Sequence, residues 1–329
     1  MQQIPRGEAH GLMLVVSPIM SATEPAGRLR NLILAKPSID RASELRTDPA
    51  KLDELWLTAK ILILAGDRFQ SSLDALVLRN STQIEGDGEK YFLGIDRSDG
   101  QSYFAWHLPA VDSEDPDFHT LREVGSNLSD LEAGLAVHAV ALGNWHRVHP
   151  MCSRCGAPTR VDLGGAVRIC DVDESQHHPR TDPAVIVLVK DQDDRIILGH
   201  QPIWPDKRFS NFAGFVEPGE SFEQCVVREV AEESGVIVHS VSYLGSQPWP
   251  FPASIMIAFE AVTSDPSTAV ADGVEITEIR WFSRAEMKAA VASQDILLPP
   301  PISVARRMIE HWYGPGAMED LQGGDSWRP

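Results

Sequence analysis

The spacing of apolar residues changes character several times along this chain, and each change marks an expected element. Up to about residue 125 the apolar residues come in short runs, such as 61–65 and 91–93, separated by turns rich in Asp and Gly. Runs of that length between turn residues predict the strands of an α+β module. Over 129–149 the period lengthens, and Leu131, Leu135, Ala139 and Leu142 fall on one side of a helix. Strand-like runs return at 184–189 and 195–198, and again at 255–262 and 278–282. Between them, Ser221 followed three residues later by Gln224 is a capping box, so a helix should open at about Phe222. Gly235 supplies the left-handed residue that ends such a helix. Prolines 299–301 precede an amphipathic helix from about Ser303, and the last fifteen residues, rich in Gly and acid, predict a loose tail. No internal repeat is evident.

Composition narrows the class. At 329 residues the chain has room for about two domains with real cores. It carries 29 Lys plus Arg against 47 Asp plus Glu, a net charge of −18. Such a charge opposes non-specific attraction to nucleic acid or anionic lipid, but does not exclude a nucleotide whose phosphates meet a metal. No stretch approaches the ~18 to 20 apolar residues of a membrane span. The start, MQQIPRGEAHGLMLVV, has one arginine and an early glutamate. That is a poor secretory signal, and the expected location is cytoplasmic.

The chemistry concentrates on the helix that follows Ser221. Glu229, Glu232 and Glu233 stand at i, i+3 and i+4, hence on one face, where like charges repel. Three hard oxygen ligands on one face suit Mg²⁺ or Mn²⁺. Arg228 adjoins them and can fix their geometry, and Glu220 lies just before the helix, where the dipole favours a negative charge. A second candidate centre precedes the strands. Cys152 and Cys155, with two residues between them, are followed by Cys170, and Asp173 stands where a further Cys of a zinc ribbon would come. Zinc accepts carboxylate oxygen, so Cys152, Cys155, Cys170 and Asp173 form a possible structural site. His177 or His178 are alternative fourth ligands, and a metal-free ribbon held by packing is the other reading. Cys225 lies inside the acidic helix and reads as a small core residue. A third feature is the segment Ser246 to Ser254, SQPWPFPAS. Its prolines fix a loop presenting Trp249 and Phe251 as a wall for a flat ring, with Gln247 and Ser254 able to hydrogen-bond.

The stretch from Gly214 to Val236 resembles the Nudix box of the Nudix hydrolases in every defined position. SQPWPFPAS resembles the signature of the NADH pyrophosphatase subfamily, whose domain order also places a zinc ribbon before the box. The resemblance is strong from about residue 150 to 312 and weak before that. It implies a mixed β-sheet held between helices, and hydrolysis of NAD(H) to nicotinamide mononucleotide and AMP with Mg²⁺ or Mn²⁺. It extends to the NAD-capped 5′ end of RNA. By resemblance, Ala213 (through its carbonyl), Glu229, Glu233 and Glu275 bind the catalytic metals, with Glu275 preferred to Glu278. Glu232 acts as a ligand or as the base. Phe215 stacks on the nicotinamide, Met256 and Ala305 line the same pocket, and Pro248, Pro250, Pro252 and Ala253 belong to the substrate loop. Where relatives have Tyr-Tyr-Pro, this chain has His177, His178 and Pro179, so His178 takes the place of a substrate-contacting tyrosine.

The expected organisation is an N-terminal α+β domain (1–127), a linking helix (128–150) and a zinc-ribbon-like segment (151–180). A Nudix domain (181–314) and a tail (315–329) follow. The resemblance also implies a homodimer whose chains both shape the pocket. Two other functions stay open on sequence: a Nudix diphosphatase for ADP-ribose or coenzyme A, and a non-catalytic ribbon that binds nucleic acid or protein.

Overall fold

The computed structural model describes residues 28–36, 39–109 and 115–323. The first sheet contains β1 (Lys60–Ala65), β2 (Arg68–Gln70), β3 (Leu78–Asn80), β4 (Glu89–Ile95), β5 (Ser102–Leu108) and β6 (Phe118–Thr120). Its order is β4-β5-β1-β2-β6, with β3 also on β1. Strand alternation sorts the apolar residues of β1 to two faces. Ile61 and Ile63 join Phe92, Phe104 and Phe118 on the side where α1 (Pro49–Trp56) packs. Leu62 and Leu64 join Tyr91 and Leu93 on the side covered by α2 (Leu121–Val124) and α3 (Asp130–Val148). Helix α3 opens on a capping box of Ser129 and Glu132, and buries the expected Leu135, Ala139 and Leu142. It also buries Ala136, Val140 and Trp145, because it is wedged between the sheet and the rest of the chain.

A small three-stranded sheet follows: β7 (Thr159–Asp162), β8 (Val167–Cys170) and β9 (Gln176–His177). The second large sheet contains β10 (Asp182–Lys190), β11 (Ile196–His200), β12 (Phe212–Phe215), β13 (His239–Trp249), β14 (Ser254–Val262) and β15 (Glu278–Phe282). Its order is β13-β14-β10-β11-β15, with β12 on β10, and β10 runs parallel to β14. Val185, Val187 and Val189 of β10 face α4 (Phe222–Ser234) through Cys225, Val226 and Val230. Ile186 and Leu188 face the other way, onto α5 (Arg284–Ala292) and α6 (Val304–Tyr313) through Met287, Val304, Met308 and Ile309. The strand buried on both faces is thus the continuous apolar run of the sequence, and the sheet lies between helices as expected.

Two expectations need correction. The segment from Ser246 to Ser254 is not a free loop. Strand β13 continues to Trp249 and pairs with β14 through Trp249 opposite Ser254. Only four residues turn, because the ladder tolerates prolines where no N–H is needed. The tail is packed as far as the structure describes it. A short helix α7 (Ala317–Asp320) buries Ala317 and Leu321 in the core beneath α6, and Asp320 binds Lys288 and Tyr313. Residues 324–329 lie outside the described set. No helix among the described residues is long and apolar enough to cross a membrane.

Both large units meet at the β13–β14 hairpin. Asn144 of α3 donates to the carbonyls of Pro250 (3.0 Å) and Pro252 (3.1 Å). Leu34 donates to Gln247, which in turn donates to Ile302. Trp249 and Phe251 pack against the core of the N-terminal unit. The N-terminal module therefore props the hairpin from behind.

Candidate active site

Helix α4 starts at Phe222 with Ser221 as its cap and stops at Gly235, whose φ of 68° is left-handed. This fixes the three glutamates on one face. Glu229 and Glu233 are buried, at 9% and 2% exposure, while Glu232 lies open. Buried carboxylates require compensation, and Arg228 is the adjoining cation. It grips Glu220 with two nitrogens (2.6 and 2.8 Å) and reaches Glu229 (2.8 Å) and Glu232 (3.0 Å). It also donates to the carbonyl of Phe215 (3.0 Å). A guanidinium has five N–H groups, and these contacts use all five. Arginine therefore has nothing left for Glu233, whose carboxylate instead accepts the Ala213 N–H at 3.1 Å.

The electrostatics follow. The Arg228 guanidinium, together with the Glu217 N–H, holds Glu220 down at about 2. Burial, reinforced by the negative charges of Glu229, Glu275 and Asp272, pushes Glu233 up to about 8. Burial likewise raises Glu229. Two carboxylates held above their ordinary range beside a saturated arginine are a site in want of a further cation.

Arg228, Glu229, Glu232 and Glu233 line one cavity of about 790 Å³, whereas Glu220 is held by Arg228 outside its walls. Its other walls include Ala213, Phe215, Met256, Glu275, Trp249, Phe251 and Ser254. The approach of strand to helix is close: a Cβ on Gly214 would lie 1.9 Å from the Glu229 carboxyl carbon. Only glycine fits there without displacing that carboxylate. Trp249 and Phe251 meet edge to face, with centroids 4.7 Å apart. Glu229, Glu233 and Glu275 bring hard oxygens to the same cavity, the kind of donor Mg²⁺ or Mn²⁺ takes.

The cavity does not gather every expected substrate residue. Gln247 is fully buried and ties Leu34 to Ile302, so it belongs to the scaffold. Ala305 is buried in the α6 core, and His178 is exposed outside the cavity. Pro248, Pro250 and Ala253 face a different cavity, since successive strand residues point to opposite sides. Pro252 lines neither and only accepts from Asn144. Glu278 of β15 lies opposite His200 of β11 and is not among the cavity's walls. Sequence reasoning missed three contributors. Asp272 lines the cavity and caps the N–H groups of Val274, Glu275 and Ile276. Glu217 also lines it. Arg122 of α2 stacks over Phe251 (4.1 Å) and Trp249 (5.3 Å) from the other unit. The Asp-Gly pair at 272–273 is a turn signal that marks the first, whereas no local pattern marks Arg122.

The cysteine centre assembles separately. Ligand atoms of Cys152, Cys155, Cys170 and Asp173 all lie within 4.8 Å of one another. Backbone N–H groups of Arg154 (3.3 Å), Val172 and Asp173 (both 3.4 Å) point at the sulfurs of Cys152 and Cys170. Amides aimed at sulfur favour thiolates, and three thiolates with one carboxylate suit tetrahedral zinc. His177 hydrogen-bonds Ser175 and Ser153 instead of joining the four. Cys225 is buried under α4.

A model described as NUDIX domain matches residues 180–299. The chain is 39% identical over 296 residues to a protein of Mycobacterium bovis (strain BCG / Pasteur 1173P2) named NAD-capped RNA hydrolase NudC. That match covers 85% of this chain and 94% of the relative. It is also 38% identical to NAD-capped RNA hydrolase NUDT12 of Macaca fascicularis and 36% identical to that of Homo sapiens. Each of these spans 197 residues, 56% of this chain and 42% of the relative.

Proposed function

Because this chain belongs to the Nudix family, we propose that it hydrolyses the pyrophosphate of NAD(H) and of NAD at the 5′ end of capped RNA. The products are nicotinamide mononucleotide and either AMP or RNA with a 5′ monophosphate. The observation that carries this reading is one cavity joining buried, incompletely compensated carboxylates to an aromatic hairpin. The first half suits a diphosphate with its cations and the second a flat base.

Glu229, Glu233 and Glu275, with the Ala213 carbonyl, would hold Mg²⁺ or Mn²⁺. When bound, these ions supply charge neutralisation at the phosphate oxygens and acidify the attacking water. Arg228 holds Glu220, Glu229 and Glu232 in place and thereby positions the metal-facing oxygens. Glu232, open to solvent at the cavity edge, would take the proton as water attacks one phosphorus and the P–O–P bond breaks. Phe215, 60% exposed at the rim, and Met256 receive the nicotinamide. Trp249 and Phe251 close the wall, and Arg122 fixes their planes from behind.

Zinc in the ribbon, a homodimer and a cytoplasmic location belong to the same proposal. The Cys155 and Cys170 sulfurs, 3.5 Å apart and unbonded, need a metal or a reducing compartment to stay so. Elemental analysis of the purified protein tests zinc, and sedimentation tests the dimer. For the activity, the protein is incubated with Mg²⁺ or Mn²⁺ and NADH, NAD, ADP-ribose, coenzyme A or NAD-capped RNA, and products are identified by mass. Cleavage of ADP-ribose or coenzyme A in preference to every NAD substrate would overturn the substrate assignment. Cleavage of none would overturn the enzyme.

A further inference from the structure

Behind the hairpin lies a second cavity of about 390 Å³. It is walled by Arg41 and Arg46 from the N-terminal unit, His138 from α3, and Arg180 from the segment entering β10. Pro248, Pro250 and Ala253 of the hairpin close it, and Ser254 lines this cavity and the catalytic one. No Asp or Glu is among its lining residues. In a chain with 47 acids and 29 bases, an acid-free cavity with three arginines is not what a solvated surface would give.

Arg46 is also poorly compensated. Arg46 is half-buried, and its Nε is shielded from solvent without a hydrogen-bond partner among the described residues. Its Nη2 makes only a long contact of 3.4 Å to the Arg41 carbonyl. Glu44, whose charge attracts Arg46, is already bound by Arg97. Arg180 pairs with Asp182. His138 is neutral there, because burial and the two arginines hold it at about 3. One half-buried guanidinium and two exposed ones thus converge on a cavity with no acid in its lining, an arrangement that favours a multidentate oxyanion, and phosphate fits their donor geometry.

We propose that this cavity is a phosphate-binding site separate from the catalytic one, and that its occupant braces the hairpin carrying Trp249 and Phe251. The phosphate has two possible sources: free phosphate, or a phosphodiester of an RNA whose capped end occupies the catalytic cavity. Only the RNA source rests on the proposed activity.

The test uses the full chain and an Arg41→Met/Arg46→Met double variant, with Arg180→Met as a second variant on the opposite wall. Binding of inorganic phosphate is followed by calorimetry and by thermal shift, neither of which needs turnover. KM is measured for NADH and for a short NAD-capped RNA. If the source is free phosphate, phosphate binds the wild type and its affinity falls about tenfold or more in each variant, the scale of one lost charge-assisted hydrogen bond. If the source is RNA, KM for capped RNA rises by a similar factor while KM for NADH holds. The proposal is overturned if phosphate binding and KM for capped RNA are unchanged in both variants. Absence of all turnover with intact phosphate binding would count against the proposed activity and leave this site standing.

Discussion

Two clusters bury charge in this molecule and treat it in opposite ways. In the catalytic cavity one arginine has all its donors engaged, and Glu233 is left to a single backbone N–H. At the junction of α3 with the small sheet, Arg168 is more deeply buried than Arg228, and its partners close around it. It donates to the Thr159 hydroxyl and carbonyl, both at 2.7 Å, and to His146 Nδ1 at 3.0 Å, and pairs with Glu89 at 3.4 Å. His146 in turn meets the Gly165 carbonyl at 2.9 Å and stacks on Tyr91, whose hydroxyl binds Glu89. The closed cluster reads as scaffold, since it joins three chain segments and pairs its buried groups with one another. The open one is the site. Buried charge alone does not mark function; buried charge with a vacancy in its compensation does.

The sharpest way to break that contrast is to neutralise one charge in each cluster. Glu233→Gln should lower kcat by about a thousandfold or more, the scale of lost metal and acid–base catalysis. Its stability without metal at pH 7 should match or exceed that of the wild type, because a strained carboxylate has gone. Steady-state turnover in chelated and re-metallated buffer, with urea unfolding alongside, checks both halves. Wild-type turnover would remove Glu233 from the mechanism. Arg168→Ala should do the reverse. Leaving Glu89 and the Thr159 carbonyl without their cation should cost about 3 kcal/mol of stability in the same urea experiment. Turnover per folded molecule should hold, and a selective loss of kcat would mean that the closed cluster is not mere scaffold.

A smaller effect is expected where backbone meets carboxylate. Gly214→Ala places a methyl group on the Glu229 carboxyl, but that group ends a flexible side chain, so the fold survives and the ligand moves. Displacement by about 1 Å costs on the order of a hundredfold in kcat. Mn²⁺ titration should show weaker binding at an unchanged unfolding midpoint. An unchanged metal affinity would show that the close approach has no functional weight.

The two clusters also differ in how far the sequence reveals them. Glu229, Glu232 and Glu233 are read directly, because helical period, cap and stop all lie within fourteen residues from Ser221. The same local logic reaches α3, the apolar run of β10 and the four members of the cysteine centre. It fails where partners are far apart in sequence. Arg168, Glu89 and His146 come from three segments, and Arg122 reaches the pocket aromatics from another unit. Gln247 shows the opposite error. Its place two residues before Trp249, on the same face of the strand, suggested a substrate contact, yet it lies deeper along that face, fully buried and bonded to Leu34 and Ile302. The tail misled because composition alone hid Leu321, which fills a gap beneath α6.

The mildest probe of the comparison is acid. His146 Nδ1 accepts from Arg168, so its proton sits on Nε2 and points at the Gly165 carbonyl. A second proton would have to enter at Nδ1, against a guanidinium N–H. Burial, opposed by the Gly165 contact and the Glu89 charge and abetted by Arg168 and His107, holds this histidine at about 4. In the unfolded chain it titrates near its ordinary 6.5. Between those values the unfolded state binds the extra proton and the folded state does not, so stability is full above 6.5 and falls as pH drops toward 4. The loss should reach about 2 kcal/mol by pH 5. Urea unfolding at pH 7.5 and pH 5, in the wild type and in His146→Gln, isolates this contribution from the carboxylates common to both. A variant that loses as much stability as the wild type over that interval would show that the closed cluster does not depend on a neutral imidazole.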